Sequence, residues 1–146
     1  MRFEGQSEVK APRERVWDFI INPHLISQCF PGLQKLEIVD ANRFNATVEA
    51  GVSFIKGTFK VQSTMAESSP PSHARMVARG SGVASSVDVD TTIHLEERGA
   101  AATVMIWKAD ILLGGLIASV GSRLVAAATD KVTKELFERI RLHVER

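Results

Sequence analysis

Cysteine is nearly absent from this 146-residue sequence and tyrosine wholly so. The single Cys29 has no partner for an internal disulfide, which excludes a disulfide-stapled scaffold and predicts a reducing, cytoplasmic setting. Excess charge of one sign is also missing: 18 Lys and Arg against 17 Asp and Glu leave a formal +1. That is too weak a field to draw the chain onto a phosphate backbone, so no nucleic-acid partner is expected. A membrane span needs ~20 strongly apolar residues. The most apolar stretch, Ile111 to Ala128, is interrupted by Ser119, Ser122 and Arg123. Met1-Arg2-Phe3-Glu4-Gly5 passes straight into an alternating pattern without the basic-then-apolar order of a leader, so no cleaved segment is expected. His24, His73, His94 and His143 lack His-x-x-x-His spacing and no Cys-x-x-Cys exists, so no metal site is assigned. Gly80-Ser81-Gly82 and Gly114-Gly115 lack the Lys-Ser/Thr tail of a phosphate-binding loop. No catalytic residue and no cofactor is assigned.

What is present is pattern. With 45% hydrophobic and 24% charged residues, the chain has the composition of a folded domain, and its length suits one domain over residues 1-146. Phe3, Gly5, Ser7 and Val9 alternate with Glu4, Gln6, Glu8 and Lys10, the period of a strand with one wet face. Pro12 opens a helical spacing through Val16, Phe19 and Ile20, and Asn22-Pro23 repeats the signal of a cap followed by a first-turn proline. Two short helices therefore follow the first strand, until Pro31-Gly32 turns the chain.

From Leu33 to about Gly114 the period is two, broken at Asp40-Ala41-Asn42, Ser68-Ser69-Pro70-Pro71 and Arg98-Gly99, which predicts about six more strands. In Val83 to Leu95, Val87, Val89, Ile93 and Leu95 face one way while Asp88, Asp90, His94 and Glu96 face water. After Gly114-Gly115 the period becomes helical. Leu116, Val120, Leu124, Ala127, Val132, Leu136, Ile140 and Val144 form one stripe, which predicts a helix of about thirty residues, roughly 45 Å long. The order β, α, α, β-meander, α contains no βαβ unit. The fold class expected is α+β: a curved antiparallel sheet of about seven strands with one long C-terminal helix over it.

The face expected to look inward mixes large and very small side chains. Phe3, Phe44, Val48, Phe59, Val61, Met65, Met76, Met105 and Trp107 alternate with Ala46, Gly57, Ala78, Gly80 and Gly82, and the helix adds Gly115, Ala118 and Gly121. Because interiors pack to about 0.75 density, two layers of small residues either approach closely or leave room for a guest. Both readings stand, and flexible methionines suit an apolar guest. The candidate ligand-binding set is Phe44, Val48, Phe59, Val61, Met76, Ala78, Gly80, Val89, Met105 and Trp107 from the sheet, with Leu116, Val120 and Leu124 from the helix. Trp107 is either a site residue offering its indole N–H or a core residue bonded to a backbone carbonyl. Trp17 reads as packing between the first helix and the sheet, and Cys29 as a small buried residue. Asp88 and Asp90 are surface charges. Asp110 stands either at a cavity rim or in a cap or turn. Ile111, Leu112, Leu113, Leu116 and Ile117 form either a patch for transient membrane-surface contact or part of the core.

Val9-Lys10-Ala11-Pro12-Arg13-Glu14-Arg15-Val16-Trp17, then Asn22-Pro23 and Cys29-Phe30-Pro31-Gly32, resemble the opening of the carbon monoxide dehydrogenase G-subunit (CoxG) family, within the START-like helix-grip (SRPBCC) superfamily. Met105-Ile106-Trp107-Lys108-Ala109-Asp110 and Gly114 through Arg123 look like that family's last strand and helix entry. The resemblance implies a non-catalytic accessory protein of a molybdenum-containing carbon monoxide dehydrogenase or related hydroxylase. Its implied role is membrane recruitment or the handling of a quinone or other lipid in the grip cavity. The superfamily also holds cyclases and hydrolases, and an enzyme of that kind, or an assembly factor with a filled core, is the alternative.

Overall fold

Strict alternation makes strands, and here it makes seven. The computed structural model describes residues 1–146. The strands are β1 (Arg2–Val9), β2 (Leu33–Asp40), β3 (Arg43–Val52), β4 (Ile55–Ser69), β5 (His73–Gly82), β6 (Ser85–Glu97) and β7 (Thr103–Gly115). They form one antiparallel sheet in the order β1-β7-β6-β5-β4-β3-β2, so the first strand returns to pair with the last. Between β1 and β2 lie helices α1 (Arg13–Ile20) and α2 (Pro23–Ile26), and the chain closes with α3 (Ser122–Val144).

Local chemistry explains the boundaries. Pro12 sits one residue before the first turn expected of it, in the extended conformation that precedes α1. Asn22 caps α2, its side chain accepting from the His24 N–H at 3.0 Å. Asp40 closes the β2–β3 turn by accepting from the Asn42 N–H at 2.9 Å and the Arg43 side chain at 2.8 Å, the usual turn chemistry of aspartate. Two further turns place non-glycine residues at positive φ. Ser53 stands at φ 57° between β3 and β4, and Val83 and Ala84 at 52° and 54° between β5 and β6. The strand expected from Val83 therefore begins at Ser85.

The C-terminal helix is shorter than its hydrophobic period implies. Gly115 and Gly121 both adopt positive φ, 70° and 97°, which only glycine does without strain. They isolate a single 3-10 turn, Leu116–Ser119, so that α3 has 23 residues, roughly 35 Å. The break resets the helical phase. The residues of α3 that the sheet buries are Val125, Ile140 and Val144, whereas Leu124 and Val132 are 48% and 43% exposed. The expected stripe holds in its second half, from Leu136 onward, and fails in its first.

The core is divided. At one end Val9, Val16, Trp17, Ile20, Cys29, Leu95, Met105, Ile140 and Val144 form one buried cluster that joins α1, α3 and the sheet. At the other end Ile55, Phe59 and Ile117 form a second cluster, with Val48, Val52, Val83, Val87, Leu113 and Val120 packed around it. Polar ties clasp the first end. Arg141 donates to the Glu8 carbonyl and to Ser7 Oγ, Lys10 N–H donates to Glu145 at 2.9 Å, and buried Thr103 donates to the Ala11 carbonyl at 2.8 Å.

Candidate functional site: the inner face of the sheet

Residues directly opposite in neighbouring strands share a face. The register therefore sets out the inner surface in rows. Phe44, Ser63, Ala78, Val89 and Ile111 form one row. Ala46, Val61, Gly80, Val87 and Leu113 form the next. On the other side stand Met65, Met76, Thr91 and Ala109, and beyond them Ile93 and Trp107. All ten sheet residues of the candidate set fall on this face.

Depth separates them. Met105 belongs to the first buried cluster, Phe59 to the second, and Val48 packs against the second. Between the clusters the floor consists of small or recessed buried positions, Phe44, Ala46, Ser63, Gly80 and Ala109, while Val61, Met76, Ala78 and Val89 rise from it only half-buried. The facing stretch of α3 matches this pattern. Between buried Val125 and half-buried Leu136, its half-buried positions are Ala126, Ala128, Thr129, Thr133 and Glu135, with no large apolar side chain among them. Sheet and helix thus both offer short side chains along this stretch.

Trp107 bounds this strip on the side of the first cluster. Its ring stacks on Phe137 of α3 with centroids 6.2 Å apart, and it lies so close to Gly5 that a Cβ there would stand 3.0 Å from it. The buried polar side-chain atoms without a hydrogen-bond partner are Arg13 Nε and Ser27 Oγ, so the indole N–H is not a buried orphan that needs a guest's oxygen. Trp107 is a wall between sheet and helix. At Gly80 an added Cβ would meet only ordinary contacts, Val61 at 3.7 Å and the Val87 carbonyl at 3.9 Å. The floor there has room for at least a methyl group.

Of the three residues expected from the helix, Val120 packs on the second cluster. Leu116 and Leu124, beside the breaks at Gly115 and Gly121, are 41% and 48% exposed. A cleft beside the strip, lined by Ile20, Ile21, Pro23, Ile26, Phe44, Met65 and Met76, has about 10 Å³ of free volume, which is space for one water. A guest larger than water would have to part α1 and α2 from the sheet to enter by this route.

Apart from Glu135 on α3, the titratable groups lie elsewhere. On the outer face Arg75 clamps Asp90 at 2.9 and 2.7 Å, and Arg2 clamps Asp110 with two bonds of 3.0 Å. Asp110 is therefore an outward strand residue, neither rim nor cap. Hydrogen bonds from Arg75 and Arg2 hold these two carboxyls below their ordinary range, and burial pushes the Cys29 thiol up. An open groove of about 350 Å³ beside Val77, Asp88, Asp90, Asp110 and Leu112 belongs to this outer face. No three His, Cys, Asp or Glu side chains converge to hold a metal ion, and no helix is long and apolar enough to cross a membrane. Sequence reasoning did not single out Ser63 and Thr91, the two hydroxyls on the strip. Their alternation with Val61 and Met65, and with Val89 and Ile93, is the signal that places them there.

A seven-stranded antiparallel sheet gripping one long C-terminal helix defines a START-like helix-grip protein. A START superfamily protein from Mycobacterium smegmatis superposes with a TM-score of 0.76 at 12% identity, over 99% of this chain and 97% of that one. The Zhui aromatase/cyclase from Streptomyces sp. R1128 gives 0.74 at 14% identity, over 100% and 94%. A conserved protein from Geobacillus kaustophilus gives 0.93 at 22% identity, over 99% and 95%. At these identities the likeness is one of fold. The model of the carbon monoxide dehydrogenase G-subunit (CoxG) family matches residues 5–145, and the chain belongs to that family. No curated protein matches it.

Proposed function

We propose that the protein is a non-catalytic binding protein that holds a quinone- or lipid-like molecule between the sheet and α3. It serves a molybdenum-containing carbon monoxide dehydrogenase-type enzyme by membrane recruitment or quinone delivery, from the cytoplasmic side and as a peripheral protein. The observation that carries this reading is the division of the inner face. Interiors fill their space, yet here a strip of half-buried apolar residues separates two packed clusters, and the helix above it supplies alanine, threonine and Glu135. Membership of the CoxG family supplies the partner class. A cyclase or hydrolase, for which the aromatase/cyclase fold gives a precedent, would aim acids or bases at its substrate. The sheet side of the strip offers the hydroxyls of Ser63 and Thr91 instead, and the facing stretch of α3 adds one half-buried carboxylate, Glu135.

Native mass spectrometry against a panel of menaquinones, ubiquinones, fatty acids and phospholipids tests the reading. A stoichiometric adduct is expected, weakened in Trp107→Ala and lost in Ala78→Phe, which fills the strip. If no panel member binds at micromolar concentration, the binding reading falls and an assembly factor with a closed core takes its place.

A further inference from the structure

At the end of the molecule that carries the second cluster, the turns are poor in charged side chains. Three segments meet there: the β3–β4 turn, the β5–β6 turn, and the 3-10 turn leading into α3. Val52, Ile55, Val83, Ile117 and Val120 pack together, and the Leu116 N–H donates to the Ala84 carbonyl at 2.9 Å while the Ile117 N–H donates to Ser85 Oγ at 3.0 Å. Across residues 50–58, 80–87 and 111–129 the only charged side chains are Lys56 and Arg123, both positive. The carboxylates Glu49, Asp88, Asp110 and Asp130 each stand one residue beyond these segments, and Glu49 accepts from the Thr58 hydroxyl at 3.0 Å. Both cations are exposed.

Apolar side chains project from this same end. Phe54 is 69% exposed at the corner of its turn, held out between Ser53 at φ 57° and Ile55, which is 1% exposed and anchors the hairpin. Leu116 and Leu124 are 41% and 48% exposed on either side of Gly121. Projecting apolar tips accompanied by cations suit the boundary of an anionic bilayer: ring and isobutyl groups enter the acyl region while ammonium and guanidinium stay at the phosphates. A second copy of this chain docking by the same surface would set two positive groups against their equals.

We propose that this end, through Phe54, Leu116 and Leu124 with Lys56 and Arg123, is a docking surface for anionic lipid. It deepens the functional reading above and rests on it for purpose, since a lipid-like guest would then exchange where the second cluster and the 3-10 turn between Gly115 and Gly121 meet the membrane. Its physical basis is separate.

Co-sedimentation with vesicles tests it, using phosphatidylcholine and phosphatidylglycerol in a roughly 3:1 ratio against phosphatidylcholine alone. Wild-type protein is expected to pellet with the anionic vesicles and to be released by salt. The pair Phe54→Ser with Leu124→Ser should weaken binding about tenfold, as should Lys56→Glu with Arg123→Glu. Both pairs should melt with the wild type, because all four side chains are exposed. A Phe54→Trp variant gives a direct reading: brominated lipid should quench it. Equal pelleting of wild type and variants, or no quenching, overturns the surface. Loss of a concentration-dependent dimer in the same variants would assign it to a second copy and also overturn the proposal. Native mass spectra of the variants keep the two readings apart, because a retained quinone adduct with lost vesicle binding supports both, while an adduct without any vesicle binding by the wild type leaves only the cavity.

Discussion

The two ends of the inner face and the strip between them are built from the same strands, yet the buried apolar clusters form only at the ends. Toward α1, large side chains from the sheet meet large side chains from α3, and buried polar ties lock the junction. At the opposite end the 3-10 turn drops Ile117 onto Phe59 and Ile55. Between them the same β4, β5 and β6 present valine, alanine, serine and glycine beneath the alanines and threonines of α3. The lesson is that closure of a helix over a sheet does not by itself make a core. Side-chain volume decides where the two layers touch, and here it is concentrated at the ends.

The largest effect should come from the first end. Ile140 is 2% exposed and Leu95 fully buried, so Ile140→Ala or Leu95→Ala should cost about 2–5 kcal/mol of unfolding free energy in urea melts. An effect of well under that size at Leu95 would mean that this end is as loose as the strip. Next come the glycines that frame the 3-10 turn. A Cβ at Gly115 would stand 2.3 Å from the Ala84 carbonyl oxygen, whereas at Gly121 it meets nothing within 4 Å. Both residues have positive φ. Gly121→Ala should thus carry only the backbone cost, about 1–3 kcal/mol for an extended positive-φ conformation, and Gly115→Ala distinctly more, with loss of the Leu116 bond to Ala84. Thermal melts of the two variants side by side would measure the difference, and equal effects would contradict the packing of that turn.

The strip should respond least. In a filled core Ala78→Phe would overpack and cost about 1–3 kcal/mol. If the space is open, the ring enters it and stability changes by less than about 0.5 kcal/mol, the range of substitutions that disturb nothing. A urea midpoint that falls by the full overpacking cost would show the strip closed, whatever the ligand panel reports.

How much of this could be read in advance follows from which signals are local. Period-two alternation is local, and it placed all ten sheet residues of the candidate set on one face, because each strand keeps its parity and the register joins like to like. Helical phase is local only while the helix lasts. The stripe through Leu116, Val120, Leu124 and Val132 assumes one unbroken helix, and Gly121 invalidates it without changing the hydrophobic pattern. Gly115 and Gly121 were visible as small residues, but their positive φ depends on where β7 ends against the β5–β6 turn. The division of the core was not visible at all. Met105 and Ala78 carry the same alternation, and only the helix above them makes one buried and leaves the other half-open.

The outer face of the same strands completes the contrast, since it is furnished with charge where the inner strip lacks it. Asp90 and Asp110 stand opposite each other on β6 and β7, a like-charge pairing that is unfavourable alone, and Arg75 and Arg2 resolve it. Each arginine holds its carboxyl below the ordinary range. A carboxyl depressed in the folded state stabilises fully above its unfolded pKa, and the contribution fades as pH falls through the folded value. Stability should therefore decline on acidification below the usual aspartate range. All four side chains are well exposed, so the decline should be small and screened by salt. Melting temperatures of wild type and the Asp90→Asn, Asp110→Asn double variant should converge as the pH is lowered and separate toward neutrality, with the wild type higher. Parallel curves at all pH values would mean that the clamps order the strands without storing charge energy. The adduct with an apolar guest should be indifferent to the double variant at neutral pH, because the two faces of the sheet do separate work.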